Sequence, residues 1–256
     1  MLSAAGPSLA WFEETHLAIA KAAGYSKWYN AAGADIAKSK MGAREGHNHY
    51  HSSPAGTVIT PELVLAQARY YDQIDPQGHL YGAIIGSFRE YLKQRKAGKY
   101  AENQMAYLIH YIGDLSMPLH HTPNNDFNKT FHMPNDGIIE HEVLGHLEKI
   151  RLYDLTIKSE MDLASAVARI ANLSKTLGHR LEKEGRLMTK AEAYAQISHS
   201  AALLKALLKY IRRTVAGKVK AHAKLISYFI HPGFRPSSPD LKMESEKNYG
   251  CELIRV

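Results

Sequence analysis

The sequence predicts an all-α protein, and three observations support this. Apolar residues recur at helical spacing, most clearly through 78–97, where Leu, Ile and Phe repeat before Gly98. Helix start signals occur at 60–62, where Thr-Pro-Glu forms an N-cap with a first-turn proline, and at 189–192, where Thr-Lys-Ala-Glu has the form of a capping box. No alternating pattern of apolar and polar residues runs for more than a few positions, so no strand is predicted.

The elements follow in chain order. We expect short helices at 14–23 and 29–38, then a loop rich in Gly, His and Ser, and helices at 60–74, 78–97 and 101–117. A loop at 122–133 and a helix from about Pro134 to Leu152 come next, followed by helices at 160–177, 190–216 and 217–229. These form a single all-α domain over 11–231, with an irregular tail at 232–256.

Composition narrows the class of partner. The formal charge of +7 suits an anionic partner such as a phosphate ester, a lipid surface or a nucleic acid, although lysines on outer helix faces give the same balance. The only cysteine is Cys251, so an intrachain disulfide is excluded. No stretch is long and apolar enough to be a transmembrane helix.

The first ten residues have the features of a shortened signal peptide. Ser8-Leu9-Ala10 places small residues at the two positions that a signal peptidase reads, and cleavage there would leave Trp11 as the first residue. A disordered tail is the alternative. The first interpretation predicts a secreted or periplasmic protein.

The segment HYIGDLSMPLHH, residues 110–121, contains the clearest candidate ligands. His110 and Asp114 are four residues apart and so project from one face of a helix, which Pro118 ends. His120 follows on the turn. Imidazole and carboxylate groups close together at a helix end are typical of a zinc site.

Further candidates lie on either side of this segment. His16 lies on the first predicted helix and Asp35 on the second, while His49 stands between His47 and His51 in the loop. Downstream, His132 and Asp136 are again four residues apart. The alternatives are His47 or His51 in place of His49, and the pair Glu142 and His146 in place of His132 and Asp136.

The pattern His-x3-Asp-x5-His, written here as HYIGDLSMPLH, resembles the HxxGDxxxPxH segment of the zinc-dependent phospholipase C and S1/P1 nuclease superfamily. The resemblance spans roughly residues 11–150. It implies an all-α fold with three zinc ions at the base of a cleft.

Carried over by position, the resemblance implies three ligand sets. The first zinc would be held by Asp35, His49, His110 and Asp114, and the second by Asp114, His16 and the free amino group and carbonyl oxygen of Trp11. The third would be held by His120, His132 and Asp136, with Glu140 and His141 as outer groups. A free amine at Trp11 requires cleavage after Ala10.

The resemblance also implies an activity. A zinc-activated hydroxide would attack a phosphodiester, with Asp35 as general base and the third zinc stabilising the leaving group. A phospholipase C-like enzyme acting on a phospholipid head group is our first expectation, and the absence of disulfides favours it over a nuclease. An S1/P1-like nuclease is the second, with Tyr50 as a candidate contact for single-stranded DNA or RNA. A zinc-stabilised binding module without turnover is the third, and no obligate protein partner is evident.

Overall fold

The computed structural model describes residues 11–229, and for 38–39 and 216–229 it describes the backbone alone. Helices and 3₁₀ turns form its regular structure, and no strand occurs in this part of the chain. The all-α prediction is therefore confirmed for these residues. The expected signal remnant at 1–10 and the tail at 232–256 lie outside them. None of the described helices has both the length and the apolar character needed to cross a lipid bilayer.

The helices follow one another through short loops. They are α1 (Glu13–Ala22), α2 (Gly33–Met41), α3 (Ala43–Gly46), α4 (Pro61–Gln67), α5 (Leu80–Lys96), α6 (Glu102–Asp114), α7 (Asp126–Asp136), α8 (Glu160–Glu184) and α9 (Lys190–Phe229). Short 3₁₀ turns lie at Trp28–Asn30, Ala68–Tyr70, Pro118–His121, Val143–Gly145 and Leu147–Lys149. The chain divides into two compact units, residues 1–211 and 212–256, and every candidate ligand belongs to the first.

Local capping explains where several helices begin. The Thr60 hydroxyl accepts the amide of Leu63 at 3.2 Å at the start of α4, as the sequence predicts. At the start of α9, the predicted capping box forms between Thr189 and Glu192, with the Glu192 amide 3.1 Å from the Thr189 hydroxyl. The end of α8 is set by Gly185, which adopts the left-handed conformation with φ of 61°.

The core lies between α5, α6 and α8. Helices α5 and α6 pack along each other and bury Ile84 and Ile85 from one and Leu108 and Ile112 from the other. Full burial of each such side chain contributes about 1.5–3 kcal/mol. Helix α8 packs on the 3₁₀ turn at Pro118–His121. This core therefore holds the end of α6 and the turn after it, where the candidate ligands lie.

The segment around Pro134 differs from the prediction. A loop was expected at 122–133 and a helix from Pro134 onwards, but α7 spans Asp126–Asp136 and residues 143–149 form only 3₁₀ turns. The Asn125 side chain starts α7 by accepting the amide of Asn128 at 3.0 Å. Pro134 lies in the last turn, where a proline removes a single helical hydrogen bond. His132 and Asp136 therefore share one helix, as their spacing requires.

Other helix boundaries also differ. The helix expected at 29–38 is a 3₁₀ turn at Trp28–Asn30 followed by α2, and the helix expected to reach residue 74 ends as α4 at Gln67. Helix α8 continues past the predicted end at 177. The two helices predicted at 190–216 and 217–229 form the single helix α9, because no proline interrupts the chain between them.

Candidate metal centre

Asp114, the last residue of α6, is the central carboxylate of a buried histidine cluster. Its Oδ2 atom lies 2.9 Å from His49 Nδ1 and 3.5 Å from His110 Nε2. Its Oδ1 atom lies 3.3 Å from His16 Nε2 and 3.9 Å from His120 Nδ1. All five side chains are buried. One fully buried carboxylate therefore faces four imidazoles that come from different parts of the chain.

Asp35 on α2 adds a second carboxylate to the cluster. Its Oδ1 atom lies 3.6 Å from His110 Nε2 and 3.9 Å from His49 Nδ1. The Asp35 side chain is 16% exposed, whereas that of Asp114 is fully buried. Asp35 is thus the carboxylate of this cluster that solvent reaches.

A further group lies where the Pro118–His121 turn meets α7. His132 Nε2 is 3.4 Å from Asp136 Oδ2, and the rings of His120 and His132 are 5.0 Å apart. His132 Nδ1 lies 2.7 Å from the side-chain oxygen of Asn128, so this nitrogen carries the proton. The Nε2 lone pair therefore points towards Asp136.

The arrangement suits metal binding. Potential ligand atoms lie within 4.8 Å of one another in three groups: His16, Asp35 and His110; His49, His110 and Asp114; and His120, His132 and Asp136. Buried atoms that make no hydrogen bond within the described chain include His110 Nε2, both ring nitrogens of His16 and of His120, Asp35 Oδ1 and Asp114 Oδ1. Such atoms destabilise a fold by about 1–3 kcal/mol each. Cations bound in these groups would satisfy His110 Nε2, the two carboxylate oxygens and one ring nitrogen each of His16 and His120.

The electrostatics place these groups in the protonation states that a metal requires. Burial alone would raise the pKa of Asp114, but His110 and the other imidazoles hold it well below its ordinary value. Burial lowers the pKa of His110 to about 4 and that of His120 well below its ordinary value. At neutral pH these histidines are therefore neutral and the carboxylate is ionised, as divalent metal binding demands.

Backbone contacts orient the histidines. His110 Nδ1 lies 2.9 Å from the carbonyl oxygen of Ala31, to which it donates, so the Nε2 lone pair faces the cluster. The rings of His16 and His110 stack at 3.7 Å. Gly113 makes room for this stack, because a Cβ atom there would lie 2.3 Å from His16 Nδ1.

Glu45 on α3 is a site residue that the sequence analysis missed. Its Oε1 atom lies 3.6 Å from His49 Nε2 and accepts the Tyr111 hydroxyl at 2.5 Å, while Asn48 donates to Oε2 at 3.1 Å. His49 thus stands between Glu45 on one side and Asp114 on the other. The four-residue spacing from Glu45 to His49 could have identified Glu45 as a candidate site residue. It was missed because this segment was predicted to be a loop, whereas Glu45 lies on α3.

Glu140, expected as an outer group, positions α1. Its carboxylate accepts the backbone amides of Glu14 at 2.7 Å and Thr15 at 3.0 Å, together with the Thr15 hydroxyl at 2.9 Å. It therefore fixes the first turn of the helix that carries His16. His141, the other expected outer group, is exposed.

The alternative ligands lie outside the three groups. His47 Nδ1 accepts the amide of Asp75 at 2.9 Å, and His51 Nδ1 donates to the carbonyl oxygen of Gly78 at 2.7 Å. Glu142 pairs with Lys190 at 2.5 Å, while His146 is paired with Glu148 at 3.1 Å. The geometry thus favours His49 over its neighbours, and the pair His132 and Asp136 over Glu142 and His146.

Two other predicted site residues have partners of their own. Trp11 is buried, and its indole N–H donates to the Ser116 hydroxyl at 3.3 Å, two residues beyond Asp114. Its role as a metal ligand through a free amino group stays a prediction. The Tyr50 hydroxyl donates to the carbonyl oxygen of Pro76 at 3.2 Å, so its predicted contact with a substrate also stays a prediction.

Comparison of the chain with protein-family models, curated proteins and solved structures finds no match. The function of this site must therefore be argued from its residues and geometry.

Proposed function

We propose that this chain is a zinc-dependent phosphodiester hydrolase, and that its substrate is a phospholipid head-group ester. The observation that carries the proposal is the convergence of buried histidines and aspartates on Asp114, with several of their polar atoms left without hydrogen bonds. These residues occur in the chain order of the resembling superfamily, and His110, Asp114 and His120 also keep its spacing, whereas the interval from His16 to Asp35 is shorter. Mixed imidazole and carboxylate groups are the donor set that zinc prefers.

The positions of these residues are compatible with the ligand sets that the resemblance implies, and His16 also lies within ligand distance of Asp35 and His110. Asp35, His49 and His110 lie on one side of Asp114, and His16 lies against its other oxygen. His120, His132 and Asp136 form a separate group close by. We propose zinc at each position, with Trp11 completing the second set once residues 1–10 are removed during export to the periplasm or the exterior.

When bound, zinc supplies Lewis acidity for phosphoryl oxygens and a source of hydroxide near neutral pH. The chain supplies the rest of the mechanism. Asp35 is ionised, since His110, His49 and His16 lower its pKa against the opposing effect of burial. As the solvent-reached carboxylate, it takes the proton of the attacking water on the oxygen that faces away from His110. Because Asp114 and His110 are fully buried, bulk water does not solvate these two candidate ligands.

A lipid substrate is supported by the composition. The charge of +7 suits a phospholipid and a nucleic acid alike, whereas the single cysteine leaves this chain without the disulfides of many fungal and plant nucleases. An exposed surface described below adds a structural reason.

A nuclease is the second candidate, and one observation favours it. Phe127 and Phe131 stack at 4.5 Å on α7, the helix that carries His132, and both are partly exposed. Stacked rings beside a metal group suit an unpaired base. A binding module stabilised by zinc without turnover is the remaining class.

The test is a parallel assay, on phosphatidylcholine micelles and on single-stranded DNA, of the zinc-loaded chain that begins at Trp11 and so has a free amino group there. His110→Ala serves as the inactive reference, and His146→Ala, at an exposed histidine outside the cluster, is the matched control. We expect phosphocholine release by the parent and the control but not by His110→Ala. Nucleotide release alone would establish the nuclease, and zinc binding without either product would favour the binding module.

Chelation separates catalysis from a purely structural role. If zinc is catalytic, removing it abolishes hydrolysis while most of the helical circular dichroism remains. A purely structural zinc would take the fold with it.

A further inference from the structure

An exposed group of aromatic and basic residues lies outside the metal centre. Tyr29 is 62% exposed and Tyr100 is 72% exposed, and Trp28 stands beside Tyr29 on the 3₁₀ turn after α1. We call this group the aromatic–basic surface, and it comprises Lys21, Lys27, Trp28, Tyr29, Arg95 and Tyr100. Exposed clusters of large apolar rings on a folded protein commonly mark a binding surface.

Contacts link the residues at 21–29 to one another and to the start of α6. Lys21 Nζ lies 4.8 Å from the centre of the Trp28 ring, and Trp28 meets Tyr29 edge to face at 6.2 Å. Lys27 reaches Glu102 at 3.2 Å. These contacts tie the turn at 28–30 to the start of α6.

Tyr100 and the end of α5 belong to the same neighbourhood. The Tyr25 hydroxyl donates to Glu102 at 2.9 Å. Burial raises the pKa of Tyr25, and so do Glu102 and the nearby Tyr91 and Tyr100. Burial likewise raises the pKa of Tyr91, and the nearby positive charges of Arg95 and Lys27 oppose that increase.

The surface carries excess positive charge. Lys93, Arg95 and Lys96 lie in the last turn of α5, and Lys99 follows immediately. The nearby carboxylates are engaged, since Glu90 holds Lys93 at 3.0 Å and Glu102 holds Lys27. Lysine and arginine at a helix C-terminus also oppose the helix dipole. That explains basic residues at this end, but it does not explain the exposed rings beside them.

The same segment leads into the metal centre. The turn at Trp28–Asn30 is followed directly by Ala31, whose carbonyl oxygen accepts the Nδ1 proton of His110. The backbone that presents Trp28 and Tyr29 therefore also orients a central histidine of the site. A partner bound at this surface would lie near the cluster.

We propose that the aromatic–basic surface docks the protein on an anionic lipid bilayer. Tryptophan and tyrosine rings favour the headgroup region, and lysine and arginine are attracted to anionic lipid phosphates. Two observations favour lipid over single-stranded nucleic acid. Lys21 covers one face of Trp28, which a base would need for stacking. Helix α2, which follows this turn in the chain, carries the exposed aliphatic side chains Ile36 and Met41. The inference rests on the proposed function, because it names the surface that meets the substrate bilayer.

The test is co-sedimentation of the full chain with vesicles of phosphatidylcholine alone and of phosphatidylcholine mixed with phosphatidylglycerol. We expect the anionic vesicles to bind at least about tenfold more tightly and the difference to shrink at high salt. The double variant Tyr29→Ser/Tyr100→Ser should lose most of this binding, and so should Lys21→Glu/Arg95→Glu, which reverses two charges of the surface. Tyr153→Ser, at a tyrosine that is 44% exposed and outside the surface, is the matched control and should bind like the parent.

Equal binding by the parent and both double variants, with unchanged circular dichroism, would overturn the inference. Binding of a single-stranded oligonucleotide that these variants lose, without vesicle binding, would overturn it in favour of nucleic acid. Lipid hydrolysis is measured in parallel on the zinc-loaded chain that begins at Trp11. Vesicle binding without hydrolysis would support the docking surface and contradict the proposed function, so the two can fail separately.

Discussion

At the scale of single residues, Asp114 links the histidines of the main cluster. Oδ2 faces His49 and His110, while Oδ1 faces His16 and His120. A carboxylate whose two oxygens point to different imidazoles is suited to bridge two cations. The superfamily resemblance implies that role for this residue, and the geometry is compatible with it.

Replacing this carboxylate gives the first prediction. Asp114→Asn keeps the shape of the side chain but removes its charge, so we expect loss of bound zinc and a fall in kcat/KM of at least about 10²–10³-fold. Elemental analysis and the hydrolysis assay measure these effects. Asp154→Asn, at an exposed aspartate, is the control and should retain both properties. Full zinc content in Asp114→Asn would contradict a bridging role.

Glu45 gives the second prediction. Glu45→Gln preserves an acceptor for the Tyr111 hydroxyl but removes the charge that faces His49 Nε2. Loss of such an outer carboxylate typically weakens metal binding about 10–100-fold. We expect that loss in a zinc competition titration, with partial recovery in Glu45→Asp. Glu148→Gln, at an exposed glutamate, is the control, and a parental zinc affinity in Glu45→Gln would exclude an orienting role for Glu45.

At the scale of elements, α6 brings its ligands together through its own regularity and its close contact with α1. His110 and Asp114 lie one turn apart on its buried face, and the turn at Pro118–His121 places His120 beyond its end. His16 reaches Asp114 only because α6 carries glycine at position 113. Helix packing and ligand placement are therefore coupled at this one position.

Gly113→Ala tests this coupling. Alanine normally stabilises a helix interior by about 1 kcal/mol relative to glycine. Here the added methyl group would lie 2.3 Å from His16 Nδ1, so we expect lower stability and displacement of His16. Urea unfolding and zinc content provide the measurements. Gly33→Ala, whose added methyl group would make only an ordinary 3.5 Å contact with Ala106, is the control. A more stable Gly113→Ala would show that the His16 contact is unimportant.

The sequence could predict those elements whose signals are local. The helix caps at Thr60 and Thr189 could be predicted, and so could the shared face of His110 and Asp114. In each case the residues concerned lie within about one helical turn. The start of α7 was misplaced because Pro134 has the features of a first-turn residue, whereas the side chain of Asn125 begins the helix. Glu45 was missed because its helix, α3, lies within a Gly- and His-rich segment.

At the scale of the whole molecule, contacts between distant segments complete the site. Ala31 and His110 are 79 residues apart, and Glu140 caps α1 from 125 residues away at Thr15. No local pattern indicates such pairs, so the sequence indicated the candidate ligands but not the residues that orient them. The resemblance implies the candidate ligand sets, and the fold brings in the residues that orient them.

Buried histidines give the whole molecule a predicted sensitivity to acid. Burial lowers the pKa of His79 to about 4, against an ordinary value of 6.5. Below pH 6.5 the unfolded chain therefore binds a proton that the folded chain does not take up until about pH 4. The free energy of unfolding should fall over this window, by up to about 1.4 kcal/mol per pH unit for this one group, and should be fully retained above pH 6.5.

His79→Gln should make this pH dependence shallower, since glutamine can still donate to Asn48 but does not titrate. Urea unfolding at pH 7.5 and pH 5, with a chelator present, measures the effect. His146→Gln is the control for loss of a surface histidine. An equally steep pH dependence in His79→Gln would show that His79 takes up its proton without a cost to folding.

Zinc-edge anomalous diffraction from crystals of the zinc-loaded chain tests most directly whether the buried cluster is a zinc centre. We predict peaks among His49, His110 and Asp114 and among His120, His132 and Asp136, with ligand distances of about 2.0–2.2 Å, and a third peak between His16 and Asp114 in the chain that begins at Trp11. Peaks confined to surface residues, or a cluster without anomalous signal at saturating zinc, would contradict the account.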